Sequence, residues 1–165
     1  MALLLLTGAA ILAASHLIVD LRISQVSPRP LTDPSSLQPD DLADFPSPAV
    51  GIRFFQGRLR KNPEDFVSLA LLGQLYLQEG RQTGDVASYG RAEVVLLKAE
   101  EILPGYPAAK AALASVHYAT HDFIGALELA EELYQANPRR IDLLAIIADA
   151  HLSLGDYELA APFYQ

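Results

Sequence analysis

From residue 62 onward, apolar residues recur at helical spacing, and the stripes are interrupted by Pro, Gly and Asp. In LALLGQLYLQEG, residues 69–80, the apolar positions fall where a helix buries one face, and Gly73 sits inside the pattern. Glycine costs about 1 kcal/mol relative to alanine there. NPED offers Asn62 as N-cap, Pro63 at the first helical position and two acids in the first turn. This predicts a helix from about 64 to 80, a turn at TGD (83–85) and a second helix to about 102. PGYP at 104–107 breaks the chain, Asp122 and Asp156 open later second helices, and NPRR at 137–140 separates two pairs. Upstream, AVGIRFFQGRLRKNP (49–63) reads as a packing helix with Ile52, Phe55 and Leu59 on one face.

The pattern also repeats. A shift of 34 residues brings Ala111, Ala114, His117, Asp122 and Ala126 onto Ala145, Ala148, His151, Asp156 and Ala160. Leu113 meets Ile147 and Phe123 meets Tyr157 under the same shift. In an earlier copy Gly73 takes the place of Ala114 and Ala148. A small residue at one fixed place in every copy predicts a close helix–helix approach, which explains the glycine.

These residues resemble the tetratricopeptide repeat (TPR) family, a 34-residue helix–turn–helix with a W-x2-L-G-x2-Y, Ala, Phe, Pro pattern. The first copy has Leu69, Leu72, Gly73 and Tyr76, then Ala92, Leu96, Ala99 and Pro104. The second has Lys110, Leu113, Ala114 and His117, then Ala126, Ala130 and Pro138. The third has Leu144, Ile147, Ala148 and His151, then Gly155, Tyr157 and Ala160. The resemblance spans 62–165, with copies at about 66–106, 107–140 and 141–165, and implies an all-α solenoid of antiparallel helix pairs. The first copy carries about seven extra residues around RQTGDVA, which lengthens its first helix. Lys110 replaces a bulky apolar residue, and Pro162 falls inside the last helix, where it costs roughly 3 kcal/mol unless the helix starts late or kinks. The chain stops at Gln165 in mid-helix with no capping segment, so further repeats are expected beyond it; the other reading is an open end that pairs with another chain.

Before the repeats the character changes. Residues 2–19, ALLLLTGAAILAASHLIV, carry no charge, so 1–22 reads as one hydrophobic helix, a transmembrane anchor or signal segment. Residues 23–48 read as a disordered linker; 27–50 hold six of the eleven prolines and four aspartates. The expectation is export with the span kept as a membrane anchor and the repeats outside the cytoplasm. Arg22 and Arg29 behind the span, with no cation ahead of it, keep the cytoplasmic side open. The formal charge is -8, from twelve Lys/Arg and twenty Asp/Glu. Fifteen of the acids lie beyond residue 61 against six cations there, a balance that disfavours nucleic acid. Arg53, Arg58, Arg60 and Lys61 form a cluster that either faces solvent or touches anionic lipid.

Cysteine is absent, which removes disulfides and thiolate chemistry. No phosphate loop, nucleophile elbow or H-E-x-x-H occurs. His117 and His121 at i and i+4 are the one metal-like pair, and a remote alternative is a metal-dependent enzyme using it; the core-tyrosine place of His117 and the turn place of His121 argue against a ligand role. The expectation is therefore no enzyme, no cofactor and no metal site. The family resemblance implies a concave groove that holds a partner peptide or helix. Its groove places carry over to Val67, Ala70, Gln74, Leu77 and Gln78, to Ala108, Ala111, Ser115, Tyr118 and Ala119, and to Asp142, Ala145, Asp149 and Leu152. No Lys or Arg is among them, which disfavours capture of a terminal carboxylate, and two aspartates suit an apolar or basic protein segment. The leading reading is a membrane-tethered, non-catalytic scaffold; the alternative is a structural subunit that self-assembles through its open C-terminal face.

Overall fold

The computed structural model describes residue 42 and residues 45–164. The apolar segment 1–22 and the linker as far as residue 41 lie outside the described residues. Among the described residues there are seven α-helices and no strand. They are α1 (Pro48–Leu59), α2 (Phe66–Thr83), α3 (Val86–Ile102), α4 (Pro107–Ala119), α5 (Phe123–Ala136), α6 (Ile141–Leu154) and α7 (Tyr157–Ala160), followed by a 3-10 helix, Ala161–Tyr164. Each helix packs on the next, and α4 also touches α2 and α6. None of these helices is long and apolar enough to cross a membrane.

The 34-residue register survives as geometry. Pro107 and Ile141 open α4 and α6, Phe123 and Tyr157 open α5 and α7, and Asp122 and Asp156 are the N-caps of the latter two. The intervening turns close alike: Asp122 N–H donates to the His117 carbonyl at 2.8 Å, and Asp156 N–H to the His151 carbonyl at 2.9 Å.

Two expectations about α2 need correction. Its N-cap is Asp65, whose carboxylate accepts from the Ser68 amide; Asn62 lies in the preceding turn. The helix also runs on to Thr83, where Gly84 at φ 72° turns the chain out of it. A side chain at that dihedral would be strained, so glycine ends the helix cheaply. Gly155 does the same after α6 at φ 88°.

Gly73 answers the steric question. A Cβ built there would lie 2.5 Å from both Cγ and Cδ2 of Leu96, which is itself fully buried. The α2–α3 pair therefore closes by seating a leucine in a glycine notch. A second notch lies further along, where a Cβ on Gly80 would meet the Tyr89 ring at 2.6 Å. The α4–α6 region instead packs Ala114, Ala130 and Ile147 together, with Leu127, Leu129, Tyr134 and Ile146 around them. On the other side of α2, Gly51 of α1 receives Leu75, and Phe55 is fully buried beside Phe54 and Phe45. After Ala160 the chain continues as a 3-10 turn containing Pro162, which lacks the N–H that an α-helix interior needs.

Candidate functional site

A cavity of about 990 Å³ opens between the first helices of the three pairs. Gln74, Leu77, Gln78 and Arg81 of α2 form one wall. Ala108, Ala111, Ala112 and Ser115 of α4 form its floor, with Tyr106 and Pro107 just before them. Asp142 and Ile146 of α6, with the N-cap Arg140, close the far side. Leu42 completes the lining from the N-terminal side. Small side chains on α4 leave the space; Ala112 is 6% exposed and packed inward, while Ala108, Ala111 and Ser115 are half-buried.

Of the expected groove places, Gln74, Leu77, Gln78, Ala108, Ala111, Ser115 and Asp142 meet around this cavity. Val67, Ala70, Tyr118, Ala119, Ala145, Asp149 and Leu152 are not among its lining residues. Ala70 is spent on packing at 1% exposure, and Tyr118 stacks near Phe123 with ring centroids 5.4 Å apart. Ala145 and Leu152 are exposed elsewhere on α6.

The electrostatics depart from the sequence expectation. Arg140 grips Asp142 through two bonds, Nε to Oδ1 at 2.8 Å and Nη2 to Oδ2 at 2.5 Å. That pairing holds the Asp142 carboxyl below its usual range and the guanidinium above its own. Asp149 accepts from the Tyr164 hydroxyl at 2.5 Å, and the phenol is pushed up to about 12 chiefly by that bond. Both aspartates thus have partners within the chain. Arg81 has no ion-pair partner among the described residues, so it leaves the cavity a positive spot in an acidic array. Arg81 and Arg140 were missed because the family's places in the first copy stop at Gln78 and those in the third begin at Asp142. The long α2, signalled by the extra residues around RQTGDVA, carries Arg81 one further turn along the same wall.

The histidines take separate roles. His117 Nδ1 lies 2.6 Å from Asp122 Oδ2, so the ring is tied to the cap of α5. His121 occupies the turn at φ 66° with its ring edge-on to Phe123 at 5.6 Å. Among the described residues no three His, Asp or Glu are grouped to hold a metal ion. Lys110, expected to loosen a contact, spans α4 to α5 by an ion pair with Glu132 at 2.6 Å. In the basic cluster Arg58 is engaged internally: it donates to Asp65 at 2.8 Å and Ser68 at 2.9 Å, while Arg53, Arg60 and Lys61 are exposed.

No family model matches the chain, and no curated protein sequence matches it.

Proposed function

We propose that the helix pairs form a TPR-like α-solenoid, and that the chain is a non-catalytic scaffold holding a segment of a protein partner in the concave side. One observation carries this reading: three successive first helices contribute to one cavity, its small and aliphatic positions (Leu77, Ala108, Ala111, Ala112, Ile146) set among Gln74, Gln78, Arg81, Arg140 and Asp142. Such a surface suits an extended or helical segment that presents aliphatic side chains. Arg140 neutralises Asp142 and Asp149 lies outside the cavity lining, which weakens the case for a basic segment in the cavity, and Arg81 favours a carboxylate near one end. In this reading residues 2–19 tether the array to a membrane and leave it outside the cytoplasm.

A photo-crosslinking residue at Ala111 or Gln78, compared with one at the exposed Val94 on α3, tests the groove. Adducts with a partner at the first two positions and none at Val94 are expected. Equal adducts at all three would reject the groove assignment.

A second reading draws support from the C-terminal end. Tyr157, Leu159, Phe163 and Tyr164 are 67, 57, 39 and 56% exposed, an apolar surface that suits self-assembly. Light scattering over a hundredfold concentration range separates the two: a constant monomer mass removes the oligomer.

A further inference from the structure

We infer that the outer face of α1 is a docking site for the anionic phospholipid headgroups of a bilayer surface. The inference goes beyond the groove reading and shares with it only the tether at residues 2–19. Residues 45–63 hold four Lys/Arg and no Asp or Glu, whereas the residues beyond 61 hold fifteen acids and six cations. Helix geometry then sorts α1 by face. Gly51, Ile52 and Phe55 are buried on the side that packs on α2. At about 100° per residue, Arg53, Gly57 and Arg60 fall on the opposite side, and Arg60 keeps helical dihedrals as the C-cap.

An open cavity of about 430 Å³ is lined by Phe54, Gly57, Arg58, Arg60 and Lys61. Arg58 supplies wall rather than charge: it is paired with Asp65 at 2.8 Å, and its guanidinium carbon lies 6.0 Å from the centre of the half-buried Phe54 ring. Arg53, Arg60 and Lys61 are exposed, and none of the three has an ion-pair partner among the described residues. Gly57 leaves the floor open beneath Arg60, whose Nη2 would lie 3.6 Å from a Cβ there. An aromatic ring and bare backbone beside free cations suit an anionic amphiphile: the cations meet phosphate, and the ring meets glycerol and the first methylenes. A soluble anion would leave the ring unused. The acidic repeats are repelled from the same surface, so docking turns the N-terminal end of the array toward the bilayer.

The full chain has no cysteine, so a single one can be placed at Ala49, exposed one turn before Arg53, or at the exposed Ala145 as control. Each carries a nitrobenzoxadiazole dye, which brightens on entering a lipid interface. Vesicles are phosphatidylcholine alone, or phosphatidylcholine with about one part in three of phosphatidylserine. Brightening at residue 49 with phosphatidylserine only, and none at 145, is expected. The docked-to-free ratio should fall about fivefold in each of Arg60→Gln and Lys61→Gln, the factor one cation contributes near such a surface, and Arg60→Lys should keep it. Equal brightening with both vesicles overturns the inference, and so does an unchanged ratio in both glutamine variants. Loss of the response on adding free glycerol phosphate also overturns it, by assigning the site to a soluble anion. Flotation with phosphatidylcholine alone reads the tether separately, so a failed tether leaves the dye result standing.

Discussion

The pair α2–α3 and the pair α4–α5 reach the same close approach by different means. In the first, a leucine and a tyrosine enter glycine notches, Leu96 at Gly73 and Tyr89 at Gly80. In the second, alanines meet, with Ala114 and Ala130 both fully buried. The ends differ as well. The lengthened α2 brings Glu79 alongside the start of α3, where Arg91 donates to Glu79 at 3.1 Å, to Asp85 at 2.8 Å and to Ser88 at 2.6 Å. The shorter α4 ends with a hydrogen bond from His117 to Asp122 and ring packing of Tyr118 on Phe123. A glycine notch filled by a large side chain concentrates the packing energy in one contact. Alanine on alanine spreads it, so the first pair is the more sensitive to single substitutions.

The largest effect is expected at the knob. Leu96→Ala removes a fully buried side chain from a glycine-lined seat and should cost about 2–5 kcal/mol, read from urea unfolding. Combined with Gly73→Ala the loss should be less than additive, because the new Cβ partly fills the space the leucine leaves. Strict additivity would mean that the two residues do not share a contact.

Next come the notches themselves. Gly73→Ala gains helix propensity of up to about 1 kcal/mol but overpacks Leu96 at about 1–3 kcal/mol, so a net loss is expected. Ala114→Gly loses propensity and a buried methyl, roughly 1–2 kcal/mol together. The decisive contrast is the converse change: Gly73→Val should unfold the first pair at lower temperature than Ala114→Val unfolds the second. A reversed order would show that the first notch yields more easily than its distances imply.

Much of this was legible in the chain, for identifiable reasons. The 34-residue shift places Asp122 and Asp156 at helix starts because the signal is local: the Asp122 side chain and the Gly125 amide it serves are three residues apart, and Asp156 keeps the same place without the cap bond. Gly73 could be assigned to helix packing because its copies are Ala114 and Ala148. The cap of α2 was misread because Asn62 and Asp65 are both good caps. Asp65 prevails through Arg58 and Ser68, and Arg58 is supplied by the preceding helix. Half of the expected groove places line the cavity; Arg81 and Arg140 line it too and were not among those places, since which residues face a shared cavity depends on how far α2 extends and on where α6 begins. Leu42 had no signal at all, because it lies ahead of the repeats.

A smaller effect tests how the two first helices begin. α2 starts at Asp65, whereas α4 starts at Tyr106 with no side-chain cap and Pro107 in its first turn. Burial raises the Asp65 pKa, but hydrogen bonds from Arg58 and Ser68 and the Arg58 charge outweigh it, leaving the carboxyl below 3.8. Asp65→Ala should cost about 0.5–2 kcal/mol at neutral pH, the usual range for a lost cap. A group with a lowered folded pKa stabilises above its unfolded value, and that contribution is lost as pH falls through the folded value. The gap between parent and variant should therefore be constant from pH 7 to about pH 5 and close as pH falls through 3.8 and below. A gap that persisted in acid would assign the loss to packing alone.

The smallest effect isolates charge from capping in the second pair and its copy. Asparagine caps as well as aspartate, so Asp122→Asn keeps the bond to the Gly125 amide and removes only the negative charge beside His117. Asp122 is held below 3.8 first by that amide and then by His117. Its charge contributes above the ordinary aspartate range and ceases to do so as pH falls through the lowered folded value. Asp156→Asn is the internal control: its carboxylate lies 3.5 Å from His151 Nδ1 and makes no cap bond. Melting temperatures at pH 7 should fall more for Asp122→Asn than for Asp156→Asn, and less than for Asp65→Ala. At pH 3 the Asp122→Asn deficit should shrink toward zero. Equal deficits for the two asparagine variants at pH 7 would mean that the shorter His117 contact adds nothing, and that the pair is held by its alanine packing alone.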